Sequence, residues 1–439
     1  MKPIVAIVGR PNVGKSTLFN RLAGHALAIV HDEPGVTRDR HYVDANLHGR
    51  EVTLIDTGGL DPTTEDPMGR GIARQAELAI LEADVVVCVL DGSAPPIEPD
   101  REAVALLRRH TGPVVYVANK VDNAARELEA HSLFELGVSD IVFASAVHGR
   151  GIAELEQAIA KALPPSSAES ELGEDGLPRI AIVGRPNAGK SSLFNRLSGA
   201  ERALVDDRPG TTRDPVDAIV RFGDRQYVLV DTAGIRRRPR VERGVEALSV
   251  MRALRAIDRA QTVILLCDVA EGVAEQDARL LGLCVDRHRA VIIGLNKIDK
   301  LDRQGRAQAI ERASDQLHFA RWAPRIPLSA KTGAGVAELM AEVETACDDF
   351  RRRIATGELN RFFERVLAEQ PPPTSGGRAP RIYYVTQAET APPRFIAVSN
   401  APEAIKDSYK RFVQNRIREA FRFGAVPIVV QYRKRKRNK

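Results

Sequence analysis

Two stretches, G-R-P-N-V-G-K-S at residues 9–16 and G-R-P-N-A-G-K-S at residues 184–191, set glycine, lysine and serine at a spacing suited to phosphate chemistry. Each follows a short apolar run and precedes a helical pattern. In that context the glycines let backbone N–H groups wrap phosphate oxygens, and the helix N-terminus adds its positive end. Gly9, Gly14, Lys15, Ser16 and Thr17 make one such cradle, and Gly184, Gly189, Lys190, Ser191 and Ser192 the other. The lysine meets the outer phosphates, and Ser16 or Ser191 is a ligand for Mg2+.

Further along each half, D-T-G-G (56–59) and D-T-A-G (231–234) end an apolar run. There Asp56 or Asp231 holds Mg2+ through water, and Gly59 or Gly234 offers its N–H to a γ-phosphate. N-K-V-D (119–122) and N-K-I-D (296–299) choose the base. The carboxylate of Asp122 or Asp299 accepts from guanine N1–H and N2–H2, whereas adenine would leave a buried charge unpaired. GTP is therefore expected over ATP, with Asn119, Lys120, Asn296 and Lys297 in the same loops. Ser145-Ala146 and Ser329-Ala330 are positioned to bring a backbone N–H to guanine O6. Thr37 in P-G-V-T-R-D and Thr212 in P-G-T-T-R-D stand where a loop closes over Mg2+ and the γ-phosphate, ordered with GTP and released after hydrolysis. A Pro-Gly turn before a helix or strand cap is an equal reading of either segment alone.

These motifs need a scaffold, and the chain supplies it twice. An offset of 175 carries Gly9 to Gly184, Lys15 to Lys190, Thr37 to Thr212 and Asp56 to Asp231, so a whole domain is duplicated. Apolar runs at 4–8, 52–55, 85–90, 114–118 and 141–143 read as strands. Their counterparts are 180–183, 227–230, 263–266, 291–295 and 326–327. Near-continuous Val, Ile and Leu predict a parallel sheet covered on both faces, a doubly wound α/β fold in each half. The expected plan is a first G domain at 1–163, an acidic flexible linker at 164–178, a second G domain at 179–350 and a basic α+β domain at 351–439 ending in a disordered tail. In the last, helices are expected at 359–369 and 408–423 and strands at 382–386, 395–399 and 428–432.

The net charge of +6 is unevenly spread. Residues 351–439 hold 20 Lys and Arg against 7 Asp and Glu, a balance of +13 that leaves −7 on the rest. A basic end on an acidic body points to a polyanionic partner, with Lys410, Arg411, Arg416, Arg418 and Arg422 on one helix and R-K-R-K-R-N-K at the terminus as the contacts. The alternative is a solvated basic face with a solubilising tail. Cys88, Cys267, Cys284 and Cys347 lack paired spacing and read as buried structural thiols. No run reaches membrane-spanning length and no signal peptide is evident, so the chain reads as a cytoplasmic protein with no membrane partner, and nothing demands more than a monomer.

Tandem G motifs followed by a basic domain resemble the EngA/Der family of bacterial GTPases. D-T-A-G-I-R-R-R (231–238), E-G-V-A-E-Q-D (271–277) and S-Y-K-R-F (408–412) carry the resemblance beyond G proteins at large. It implies a GTP-hydrolysing switch with two nucleotide sites, a KH-like third domain, and a role in assembly of the large ribosomal subunit, with that subunit or its precursor and ribosomal RNA as partners. The third domain lacks the G-x-x-G loop with which a standard KH domain clamps a nucleic-acid backbone, and R-F-G-A-V-P (422–427) departs from the turn expected there. The residue after D-x-x-G is Leu60 or Ile235, where Ras-like enzymes use Gln to orient water. Asn12 and Asn187 within the glycine loops resemble those of potassium-dependent GTPases. That likeness implies a K+ held by the asparagine carbonyl and phosphate oxygens in place of an arginine finger, with Lys15, Lys190, Thr37 and Thr212 completing the catalytic set. A turn-stabilising role for the asparagine is the competing reading. The loop after the second D-x-x-G carries Arg236, Arg237, Arg238 and Arg240 where the first is acidic, so the two sites are expected to behave unequally. The rivals are a non-hydrolysing RNA-binding scaffold with GTP as a structural ligand, and a GTPase working at a membrane or in tRNA modification.

Overall fold

Strands that are apolar on both sides need cover on both faces, and they obtain it by lying side by side with helices above and below. A computed structural model describes residues 2–24, 42–57, 83–108, 112–165, 176–199, 217–232, 245–374 and 380–435. The chain divides into two compact units, residues 1–168 with 239–252, and residues 169–238 with 253–439.

In the first unit the order is β1 (Ile4–Val8), α1 (Lys15–Ala23), β2 (Tyr42–Leu47), β3 (Arg50–Asp56), β4 (Val85–Asp91), α2 (Glu98–Arg108), β5 (Val114–Asn119), α3 (Ala124–Ala130), β6 (Ile141–Phe143) and α4 (Ile152–Ala162). The sheet runs β2-β3-β1-β4-β5-β6. Every residue of β1 and β4 is buried. Because β3 and β4 flank β1 on opposite sides, the strand order reverses at the carboxyl end of β1, the place where such sheets hold ligands.

The expectation of a wholly parallel sheet is corrected at one edge. Strand β2, absent from the sequence reading, pairs antiparallel with β3 from Tyr42↔Ile55 to Leu47↔Arg50. An edge strand with a wet face alternates, and here Ala45 and Leu47 are buried around exposed Asn46. It therefore lacks the continuous apolar run that identified the others.

The second unit repeats the plan with β7 (Arg179–Val183), α5 (Lys190–Gly199), β8 (Ala218–Phe222) and β9 (Arg225–Leu229). Helix α6 (Val245–Arg259), within which the division between the units falls after Arg252, precedes β10 (Thr262–Asp268), α7 (Glu275–Asp286), β11 (Ala290–Asn296), α8 (Arg303–Gln316), β12 (Arg325–Pro327) and α9 (Val336–Phe350). Its sheet runs β12-β11-β10-β7-β9-β8, again with an antiparallel edge, β8 on β9.

Helix α10 (Thr356–Glu369), β13 (Ile382–Thr390), β14 (Pro393–Ser399), α11 (Asp407–Phe421) and β15 (Val429–Lys434) follow. They form a three-stranded sheet ordered β13-β14-β15. One continuous core links it to the six-stranded sheet, passing from Leu193, Ile264 and Ile292 through Phe350 to Phe363, Phe395 and Phe423. The R-F-G-A-V-P turn is the seat of this junction: Phe423 and Val426 are fully buried, and Ala425 O accepts from Val291 N–H of β11 at 2.8 Å. Arg418 donates to Phe423 O, Gly424 O and Val426 O and lies 4.5 Å over the Trp322 ring. Burial pushes its pKa down to about 10. All four cysteines are free and buried. Among the described residues no helix is long and apolar enough to cross a membrane.

Candidate functional site

Both glycine loops leave a buried strand and enter a helix, so their geometry follows from the elements around them. Helix α1 begins at Lys15 behind Gly14, whose φ of 90° suits glycine. A Cβ on Gly14 would strike Asn119 Nδ2, and one on Gly189 would strike Asn296 Nδ2. Gly9 and Gly184 lie against the carbonyls of Val89 and Leu266 with no more room. Asn12 and Asn187 adopt left-handed conformations (φ 65° and 64°) and are exposed on the loop surface. Asparagine is among the few residues that tolerate this backbone.

The two lysines fold back along their loops. Lys15 Nζ donates to Gly9 O and Arg10 O at 2.8 and 2.9 Å, and Lys190 Nζ to Gly184 O and Arg185 O, both at 2.7 Å. Of three ammonium N–H groups, two are held by carbonyls. Burial lowers the pKa of Lys15, opposed by the charge of Asp56, and lowers that of Lys190 to about 8, opposed by Asp277. An incoming phosphate would supply the missing counter-charge.

Ser16 Oγ donates to Asp56 Oδ2 at 2.8 Å, which brings together two expected ligands, one from the first turn of α1 and one from the end of β3. A hydroxyl and a carboxylate in contact form the hard-oxygen set that Mg2+ takes. Thr57 anchors this end of β3 through its hydroxyl on Ile7 O at 2.8 Å. In the second unit Asp231 has a left-handed φ of 55°, and its N–H is 3.2 Å from Asp217 Oδ1. Asp217 also holds Arg179 and Arg259. Thr17, Ser191 and Ser192 are exposed at the first turn of their helices. Thr37, Thr212, Gly59, Gly234, Leu60, Ile235, the arginines at 236–240 and most of the 164–178 segment lie outside the described residues.

The N-K-V-D and N-K-I-D loops are tied to the glycine loops by their asparagines. Asn119 Nδ2 donates to Val13 O at 2.8 Å while its Oδ1 accepts from Ala146 N–H at 2.9 Å. Asn296 repeats this with Ala188 O and Ala330 N–H at 2.7 and 2.9 Å. The N–H groups of Ala146 and Ala330, expected at guanine O6, are thus committed within the protein, and each asparagine is a bracket between two loops. Asp122 keeps a carboxylate edge open. Ser145 Oγ donates to its Oδ1 at 2.8 Å, leaving Oδ2 without a partner among the described residues. The Ser329 hydroxyl holds Asp299 below the usual carboxylate range in the same way. Lys120 and Lys297, both left-handed (φ 70° and 71°), pair with Asp91 at 2.8 Å and with Asp268.

Several of these supports were not singled out from the sequence. Arg10 bonds Asp91 at 3.2 Å and pairs with Asp100 at 3.4 Å. Arg185 pairs with buried Asp277 at 2.8 Å and donates to Gly272 O at 2.8 Å, which gives the E-G-V-A-E-Q-D segment its role. Arg21 donates to Ala146 O and Val147 O, and Arg196 to Ala330 O and Lys331 O. The available signal was their repetition: each is the same residue type in both halves.

A family model described as a 50S ribosome-binding GTPase matches residues 4–120 and 179–297. A second, described as the KH-domain-like C-terminal part of EngA bacterial GTPase enzymes, matches 353–433. The chain is 46% identical to GTPase Der of Symbiobacterium thermophilum, covering 100% of this chain and 94% of that one. Against GTPase Der of Moorella thermoacetica it is 44% identical, covering 99% of each. A solved structure of Aquifex aeolicus Era bound to GDP.AlF4- overlaps 59% of this chain and 93% of its own, at 19% identity and a TM-score of 0.30.

Proposed function

The chain belongs to the Der (EngA) family of GTPases, and on that premise we propose that its two nucleotide sites switch one molecule between states that bind and release the large ribosomal subunit or its precursor. It is a P-loop GTPase, which removes the reading of a non-hydrolysing scaffold. The carrying observation is the duplicated bracket, Val13 O–Asn119–Ala146 N–H and Ala188 O–Asn296–Ala330 N–H, which couples phosphate loop to base loop in both halves.

In this reading Asp122 and Asp299 select guanine with the carboxylate edge that Ser145 and Ser329 orient. Lys15 and Lys190 bind the outer phosphates with their remaining N–H. Ser16 with Asp56, and Ser191 with Asp231, would hold Mg2+, which when bound neutralises charge on the phosphate oxygens. Asn12 and Asn187 would hold K+, and the positive charge so placed supplies what an arginine finger otherwise contributes. Thr37 and Thr212 close the sites in the GTP state. Depletion of the protein in cells is expected to lower mature large subunits and raise their precursors in sucrose-gradient profiles. An unchanged profile would remove the assembly role while leaving the GTPase intact.

A further inference from the structure

The third domain is strongly basic, yet many of the cations on α11 are engaged. Lys410 pairs with Asp407 at 2.8 Å, Arg416 bonds Glu369 at 2.8 Å, and Arg418 is spent on three backbone carbonyls and Trp322. In the R-F-G-A-V-P turn Phe423, Ala425 and Val426 are buried and Ala425 O is taken by Val291 N–H of β11, which leaves Arg422 and Gly424 exposed.

A different surface gathers cations that make no ion pair among the described residues: Arg381, Arg433, Lys434 and Arg435, all exposed. The ends of β13 and β15 bring them together, since Ile382 and Lys434 both face Ser399 of β14. Between them stand Tyr383 and Tyr384, 41% and 50% exposed. Strand alternation alone would turn one of two neighbouring side chains inward. Here the register slips between Ile382↔Ser399 and Tyr384↔Val398, and this β-bulge turns both rings outward, as bulges at functional edges do. Arg381 and Arg435 lie over the Tyr383 ring at 5.8 and 5.1 Å from its centroid.

We propose that Tyr383 and Tyr384, with Arg381 and Arg435, form a stacking platform for single-stranded RNA. The exposed Tyr384 ring and the guanidinium groups laid over Tyr383, among cations that make no ion pair among the described residues, match a strand that offers flat bases and a phosphate chain together. Arg433 and Lys434, both exposed, extend the charge for the backbone. A duplex stacks its bases internally and presents only phosphates, so the platform discriminates against it. The assignment rests on the ribosome-associated reading above and names the surface that would carry it.

The test uses the full chain and a fluorescent RNA of about 12 nucleotides, single-stranded or in duplex, read by anisotropy across a salt series. Tyr383→Ala with Tyr384→Ala is expected to weaken single-strand binding about 10-fold or more, with the salt slope unchanged. The Tyr→Phe pair, which keeps the rings, retains binding, and Arg381→Gln with Arg435→Gln flattens the salt slope. GTP hydrolysis and thermal unfolding stay at the parent level in all three, because these side chains are exposed. Unaltered binding by the Tyr→Ala pair, or equal affinity for duplex and single strand, overturns the proposal. Tyrosine-dependent sedimentation with large subunits but no single-strand binding would assign the surface to a protein, overturning the proposal and leaving the proposed function standing. A parent chain that neither binds single-stranded RNA nor sediments with large subunits would remove that function itself.

Discussion

Asn12 and Asn187 each have two reasons to be asparagine. Their left-handed backbone favours it, and their exposed carbonyl oxygen is a hard ligand. Asn12→Gly with Asn187→Gly separates the two, because glycine adopts the same φ freely but carries no oxygen. If they hold the K+ proposed above, the parent turns over faster in KCl than in NaCl at matched ionic strength, and the double variant binds GTP but loses that difference; equal parent rates would remove the ion, and a difference that survives would move it elsewhere. Lys190 carries a pH dependence of definite sign. Burial lowers its pKa to about 8 in the empty site, a bound phosphate raises it, and binding above that pH therefore takes up a proton. Affinity is complete below about pH 8 and falls by up to tenfold per unit above it. Calorimetry at pH 9 on the Lys15→Ala chain, in buffers of different ionisation enthalpy, should give different apparent heats for the second site; identical heats would contradict the linkage.

At the scale of elements, the junction between the second six-stranded sheet and the three-stranded sheet depends on Arg418, whose guanidinium satisfies three carbonyls at the end of α11 and covers Trp322. Arg418→Met keeps much of the bulk and removes the donors. The expected cost is about 2–4 kcal/mol, the range for losing charged hydrogen bonds and leaving buried acceptors unmet. Trp322 is the only tryptophan in the chain, so its fluorescence reads this junction directly. A shift of its emission at lower denaturant concentration is the expected result, and a coincident parent curve would show the latch to be dispensable.

Across the whole molecule, the halves share a plan but differ where Mg2+ is expected. Asp56 accepts from Ser16 at the end of a regular strand, whereas Asp231 is left-handed with its N–H on Asp217, itself tied to two arginines. Disabling one site at a time with Lys15→Ala or Lys190→Ala should therefore leave unequal single-turnover rates, differing by about threefold or more, a gap of roughly 0.7 kcal/mol in barrier. Equal rates would show the backbone difference to be without consequence.

The backbone course of the glycine loops and the parallel strands were legible in the residues because short-range constraints dictate them: a glycine where a Cβ would collide, a lysine at a helix start, apolar runs for strands buried twice. The antiparallel edge strands β2 and β8 were not, since half-exposed alternation over 6 and 5 residues is a faint pattern. Nor could spacing reveal that Asn119 spends both ends of its amide on protein partners 106 and 27 residues away. The same holds for R-F-G-A-V-P, which reads locally as an odd turn and becomes, once the chain has folded, the contact that seats the three-stranded sheet on β11. Such assignments depend on which distant groups meet, and only the closing of the tertiary core decides that.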